Sequence, residues 1–253
     1  MCSIKQGCNM KIIIGKIKKA IKQIFRNHFL KKEIKNYRKN LGPGEKFKIV
    51  FGGHWSNHQG WLILNKEYQD ITKPLLFPNE SVDVIFTEHV IEHISFLDCI
   101  SFMRESKRIL KPGGVFRVVS PMLEKLLSTS LSLENDKDML FIQNRLLNFY
   151  QKENKTLEIL NLNGLSEYWK TFFLNNLFRD HGHEFIWSAE LMVNVLGSLG
   201  YNDVQVCEVG DGSNKNYCIE RRCRGLYLEN NWKEDRSLGF VYDVESMVVE
   251  ARK

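Results

Sequence analysis

The stretch from Phe77 to Val119 limits the fold more than any other part of the chain. It opens with a turn sequence, Phe77-Pro78-Asn79-Glu80, followed by an apolar run, Ser81 to Phe86 (SVDVIF). A long helical pattern then runs from Glu88 to Leu110, with a break near Ser95. Lys111-Pro112-Gly113-Gly114 stops it, because proline cannot continue a helix and glycine accepts the turn that ends one. Val115 to Val119 (VFRVV) reads as the next strand. Short apolar runs separated by a helix are the pattern of a parallel sheet covered on both faces.

Other segments repeat the rhythm. Phe47 to Phe51 (FKIVF) is a buried strand ending in Gly52-Gly53, and Trp61 to Leu64 (WLIL) is another. Residues 122–185 depart from it, being helical in composition with no clear strand, and read as an insertion over the end of the sheet. Ser188 to Leu199 is an amphipathic helix ended by Gly200. Val204 to Val209 and Ser246 to Ala251 are two late strands joined by a long polar connection. The expected organisation is a basic helical extension over 1–45 and an α/β domain over 46–253.

Charge supports that division. The whole chain carries 36 Lys and Arg against 30 Asp and Glu, a net +6. Residues 1–46 hold 13 of the basic residues and only Glu33 and Glu45 as acids, a net +11 that leaves −5 for the remainder. A protein basic all over, as a nucleic-acid coat would be, is excluded. Within the extension Ile14, Ile17, Ile21, Ile24/Phe25 and His28/Phe29 recur at helical spacing with lysines between them. Such a helix packs on the body, lies on an anionic membrane surface through residues 11–40, or, as a third reading, contacts nucleic acid. No run approaches the roughly 20 apolar residues of a membrane span. The expected location is cytoplasmic, with peripheral contact at the inner membrane face. None of the six cysteines forms a CxxC, so free thiols are expected.

In an open α/β sheet ligands bind beyond the carboxyl ends of the strands. That rule nominates Gly52-Gly53-His54, Asn65 with Glu67, Asp70-Ile71, and Glu88-His89 running into Glu92-His93. Glycine after a first strand lets backbone approach a cofactor closely.

The order of these pieces resembles the class I S-adenosylmethionine-dependent methyltransferases. It is most similar to small members with Gly-Trp, EHxxEH and LKPGG motifs. The matching residues are FKIVFGG (47–53), GWLIL (60–64), DITKPLLFPNESVDVIFTEHVIEHI (70–94), FMRESKRILKPGGVFRVVSP (102–121), FRDHGHEF (178–185) and ESMVVEARK (245–253). The resemblance implies a Rossmann-like, seven-stranded, mostly parallel sheet with an antiparallel last strand. It implies S-adenosyl-L-methionine as cofactor, held by Gly52, Gly53, His54, Asn65, Asp70, Ile71 and Glu88. Asp70 would accept from the adenine amine, and Asn65 stands where many relatives carry an acid for the ribose. It also suggests a sugar, surface-glycan or glycolipid precursor as acceptor.

Methyl transfer needs alignment of the nucleophile and exclusion of water, and a base only for a weakly acidic acceptor. His89 and His183 are the expected catalytic residues, with His93 a third candidate and Arg179, Asp180 and His181 brought over the cleft from the insertion. Two other readings use the same residues. His89-Val90-Ile91-Glu92-His93 is an HxxEH, the inverted zinc-peptidase motif, although no metal is expected in the methyltransferase reading. A methyltransferase-like fold can also serve as a non-catalytic binding module.

Overall fold

Strand and helix alternate through the computed structural model, which describes residues 24–52, 58–131, 171, 174–175, 178, 182–220, 226–228, 231–233 and 245–253. Helix α1 covers residues 24–40. Strands β1 (Lys48–Phe51), β2 (Leu62–Leu64) and β3 (Val82–Glu88) follow. A single 3-10 turn, Ile91–His93, leads into α2 (Phe96–Ile109) and β4 (Leu110–Pro121). After α3 (Leu123–Leu131) come α4 (Ala189–Ser198) and β5 (Asn202–Cys207). A small hairpin of β6 (Leu226–Leu228) and β7 (Asn231–Lys233) precedes β8 (Ser246–Arg252).

The main sheet runs β2-β1-β3-β4-β8-β5. The first four strands pair in parallel, and β8 lies antiparallel between β4 and β5. The two late strands therefore pair with each other as expected, but among the described residues the sheet has six strands rather than seven. The reason is visible between β2 and β3. Residues 65–81, whose short apolar run Leu75-Leu76-Phe77 is bounded by Pro74 and Pro78, fold into turns, with the amides of Tyr68 and Gln69 bonded to the Asn65 carbonyl and that of Lys73 to Asp70.

Side chains alternate across the sheet with period two. Ile49 and Phe51, Phe116 and Val118, and Met247, Val249 and Ala251 face the larger core. Buried residues of α2 (Cys99, Phe102, Met103) and α4 (Met192, Leu196) close over that face. Val50, Val84, Phe86, Val115, Val119 and Val248 face the other way. Among the described residues no long helix covers this second face. Val209 and Ile219 pack there, from the segment that follows β5.

That segment is held by an ion cluster inside the sheet. Arg117 of β4 lies directly opposite Glu250 of β8, on the same face as Val115 and Val119. Its guanidinium is fully buried and donates to Glu250 Oε2 (3.0 Å), both oxygens of Glu220, and the Asp211 carbonyl (2.8 Å). Glu220 in turn accepts from the Gly210 amide, and Glu250 from that of Ser213.

Helix starts follow capping chemistry. The break near Ser95 is the N-cap of α2, where Ser95 Oγ accepts from the Asp98 amide and donates to its carboxylate. Ser188 caps α4 through the Leu191 amide. In α1 the buried face differs from the stripe predicted above. Leu30 and Ile34 enter the larger core and Tyr37 bonds the Gly60 carbonyl, whereas Ile24 and Phe25 are 67% and 71% exposed. The two sets lie more than about 100° apart around the helix. The expected insertion leaves and returns at one place, since Met122 bridges Trp187 and the Leu123 amide bonds the Trp187 carbonyl (2.9 Å).

Candidate active site

A cleft of about 320 Å³ opens beyond the carboxyl ends of β1, β2 and β3. Gly52, Asp70, Ile71, His89 and His93 are among its lining residues. Gly52 closes β1 with φ +89°, and its amide bonds the Leu64 carbonyl of β2 (2.8 Å). A Cβ at this position would collide with the Val90 side chain, so only glycine brings the backbone this close to the opposite wall.

Asp70 sits half-buried in the turn after β2. Burial pushes its carboxyl up, but bonds from the Thr72 hydroxyl and amide and the charges of Lys73 and Lys66 outweigh this and hold it below its ordinary value. Both Thr72 bonds fall on Oδ1 (2.8 and 3.0 Å), which leaves Oδ2 for a donor on a ligand. Asn65 also has a local task. Its side-chain oxygen accepts from the Glu67 amide (3.0 Å), forming an Asx turn, while neighbouring Lys66 and Gln69 line the cleft. Gly53 and His54, like Arg179, Asp180 and His181, lie outside the described residues.

His89 follows Glu88, the last residue of β3, in a left-handed conformation (φ +50°). The turn directs its Nδ1 to Glu92 (3.1 Å) and its Nε2 to Ser246 Oγ (3.3 Å), with Glu245 4.0 Å away. Glu92 is fully buried and also lies 3.5 Å from Ser120 Oγ. His89 therefore ties the end of β3 to the start of β8. Burial alone would lower its pKa, but the Glu92 bond and the negative charges of Glu92, Glu245 and Glu88 raise it above 6.5. Burial would raise Glu92, yet His89 brings it below its ordinary 4.5. A protonated His89 donates hydrogen bonds, and it can act as a base only after losing that proton.

This pair gives stability a defined pH dependence. The raised His89 contributes fully below pH 6.5 and its contribution is lost as pH rises through the folded value. The lowered Glu92 contributes above pH 4.5 and loses its contribution as pH falls through its own folded value. Thermal melts are expected to decline with pH above 6.5, and to decline less in His89→Gln. Parallel profiles for the two proteins would refute the ion pair.

His93 and His183 meet edge to face, with ring centroids 4.8 Å apart. His183 arrives from the C-terminal end of the expected insertion, through Gly182 at φ +66°. The amides of Glu184 and Phe185 both bond the Glu92 carbonyl, fixing this segment against the Ile91–His93 turn. His89 and His93 share no helix, so the HxxEH segment does not present its two histidines as the peptidase motif requires.

Residues 55–118 match the family model described as a methyltransferase domain. The chain carries a methyltransferase domain. In overall structure the chain is similar to a SAM-dependent methyltransferase from Archaeoglobus fulgidus (13% identity, 90% of this chain and 94% of that one, TM-score 0.42). It is likewise similar to SAM-dependent methyltransferases from Thermotoga maritima (14%, 94% and 95%, TM-score 0.41) and Mesorhizobium loti (13%, 86% and 96%, TM-score 0.42). A search of curated proteins finds no match to the chain. The cleft offers a ligand close approach to backbone at Gly52 and, within the matched residues, an ionised acceptor at Asp70.

Proposed function

We propose that this chain transfers a methyl group to a sugar or glycolipid precursor held near a membrane. The reading is carried by one observation: Gly52 and Asp70 face a single cleft at the carboxyl ends of adjacent strands, and residues 55–118, which include Asp70, match a methyltransferase domain. S-adenosylmethionine bound there supplies a methyl group activated by its sulfonium charge. Asp70 Oδ2 accepts from the adenine amine, Ile71 gives the ring an apolar contact, and Gly52 lets the amino-acid part lie against backbone. Gly53, His54, Asn65 and Glu88 complete the proposed cofactor set. His89 and His183 stand on the acceptor side, His183 to orient a hydroxyl and His89 to hold the cleft wall through Glu92 and Ser246.

Calorimetric titration with S-adenosylmethionine tests this reading. Asp70→Ala is expected to weaken binding at least about tenfold, since a hydrogen bond to a charged group contributes about 1.5–3 kcal/mol. No heat at millimolar cofactor would instead favour a non-catalytic binding module.

The membrane component is supported by α1, where exposed Ile24 and Phe25 stand beside exposed Lys31, Lys32 and Lys35. Among the described residues no helix is long and apolar enough to cross a membrane, so contact would be peripheral. The protein is expected to sediment with phosphatidylserine vesicles at low salt. Ile24→Asp with Phe25→Asp should reduce this strongly, and unchanged sedimentation would remove the membrane from the proposal.

A further inference from the structure

We infer that Glu92, His93 and His183 form a binding site for a divalent first-row transition-metal ion at the edge of the cleft. One donor atom from each lies within 4.8 Å of the other two. Metal–ligand distances of about 2.0–2.2 Å place bound donors somewhat closer than this, so side-chain adjustment of order 1 Å completes the site. Two imidazoles and one carboxylate, with remaining positions open, are a donor set that suits catalytic zinc and non-haem iron.

Three further features fit ligation better than simple packing. First, the backbone is already fixed, because the Glu184 and Phe185 amides bond the Glu92 carbonyl at 2.7 and 3.2 Å. Phe185 is also clamped by the rings of Phe96 and Trp187. Second, His93 Nδ1 lies 3.3 Å from the Gly182 carbonyl, which leaves Nε2 to face an ion. A ligating histidine usually donates its other ring N–H to such a carbonyl. Third, Glu92 is itself oriented by His89 and Ser120, in the way that ligating carboxylates are held by outer partners. The site replaces His89 of the HxxEH segment with His183. His89 is excluded because its two nitrogens are directed to Glu92 and Ser246.

His93 lines the cleft, so the open positions of the ion face the space where an acceptor enters. The ligand class expected there is an oxygen donor such as a hydroxyl or carboxylate. This last step rests on the methyl-transfer reading, whereas ion binding does not.

Untagged, metal-free protein is titrated with Co2+, and the product then with Zn2+. The expected result is about one equivalent of Co2+ with the visible absorption of a low-coordinate nitrogen–oxygen site, displaced by Zn2+. His93→Ala and His183→Ala should each abolish it, with folding checked by circular dichroism. His28→Ala, an exposed position on α1, should bind as the unmodified protein does. Absence of Co2+ binding in the unmodified protein, or equal binding in both cleft variants, overturns the inference. A second measurement needs no variant. Diethylpyrocarbonate labelling of His93 and His183, read by peptide mass spectrometry, should fall when Zn2+ is present, and equal labelling counts against the site. Cofactor titration on the same samples keeps the two readings separate. Cofactor binding without metal removes only this inference, and metal binding without cofactor removes only the methyl-transfer reading.

Discussion

Arg117→Ala is expected to destabilise the fold by about 3–5 kcal/mol, the usual cost of removing one member of a buried ion cluster. A typical domain has only about 5–15 kcal/mol in total, so much of the protein would unfold under mild conditions. Two effects combine. The substitution leaves Glu220 and Glu250, both buried, without the guanidinium that neutralises them. It also frees the chain after β5, because the Asp211 carbonyl loses its donor and Val209 and Ile219 lose their anchor over the second face of the sheet. Arg117→Lys should fall between the two proteins, since an ammonium cannot fork to two carboxylates and a carbonyl in one plane. Urea unfolding measures the difference. A loss below about 1 kcal/mol would mean that the cluster contributes little to holding the segment.

Gly52→Ala is expected to weaken cofactor binding about 100-fold, which corresponds to about 3 kcal/mol at 1.4 kcal/mol per decade. The φ of +89° strains any residue with a Cβ, at a cost of order 1–3 kcal/mol. The new methyl group would also collide with Val90 on the facing wall. Gly52→Ala combined with Val90→Ala separates these contributions. The pair relieves the collision and keeps the strain, so it should recover part of the affinity. Calorimetry with S-adenosylmethionine reads both proteins. Unchanged affinity in Gly52→Ala would show that the ligand does not lie against this turn.

The features legible in sequence are those set by local chemistry. SVDVIF becomes β3, the break at Ser95 becomes an N-cap, and the glycine after FKIVF closes the strand in a conformation that excludes a side chain. What escaped was set by contacts between distant residues. Arg117 stands 103 residues from Glu220 and 133 from Glu250, and no local pattern joins them. The one available signal was a charge in the middle of an apolar run, VFRVV. The meeting of His93 with His183 depends on a chain reversal that periodicity cannot report. In α1 two apolar stripes compete, and the sheet selects Leu30 and Ile34 over Ile24 and Phe25. The missing seventh strand was signalled by the turn-rich composition of residues 65–81, but the family pattern outweighed it.

The contact between Leu123 and Trp187 has a consequence for how such a protein diversifies. Because the backbone is already joined at the base of the segment between them, lengthening that segment adds only loop entropy, about 0.6 kcal/mol for each doubling. The sheet is insulated from such changes, and the cleft wall is too as long as residues 182–185, which meet Glu92 and His93, are kept. Acceptor preference could therefore drift through insertion, deletion or wholesale exchange of this part of the gene, while the machinery that holds the methyl donor stays under separate selection.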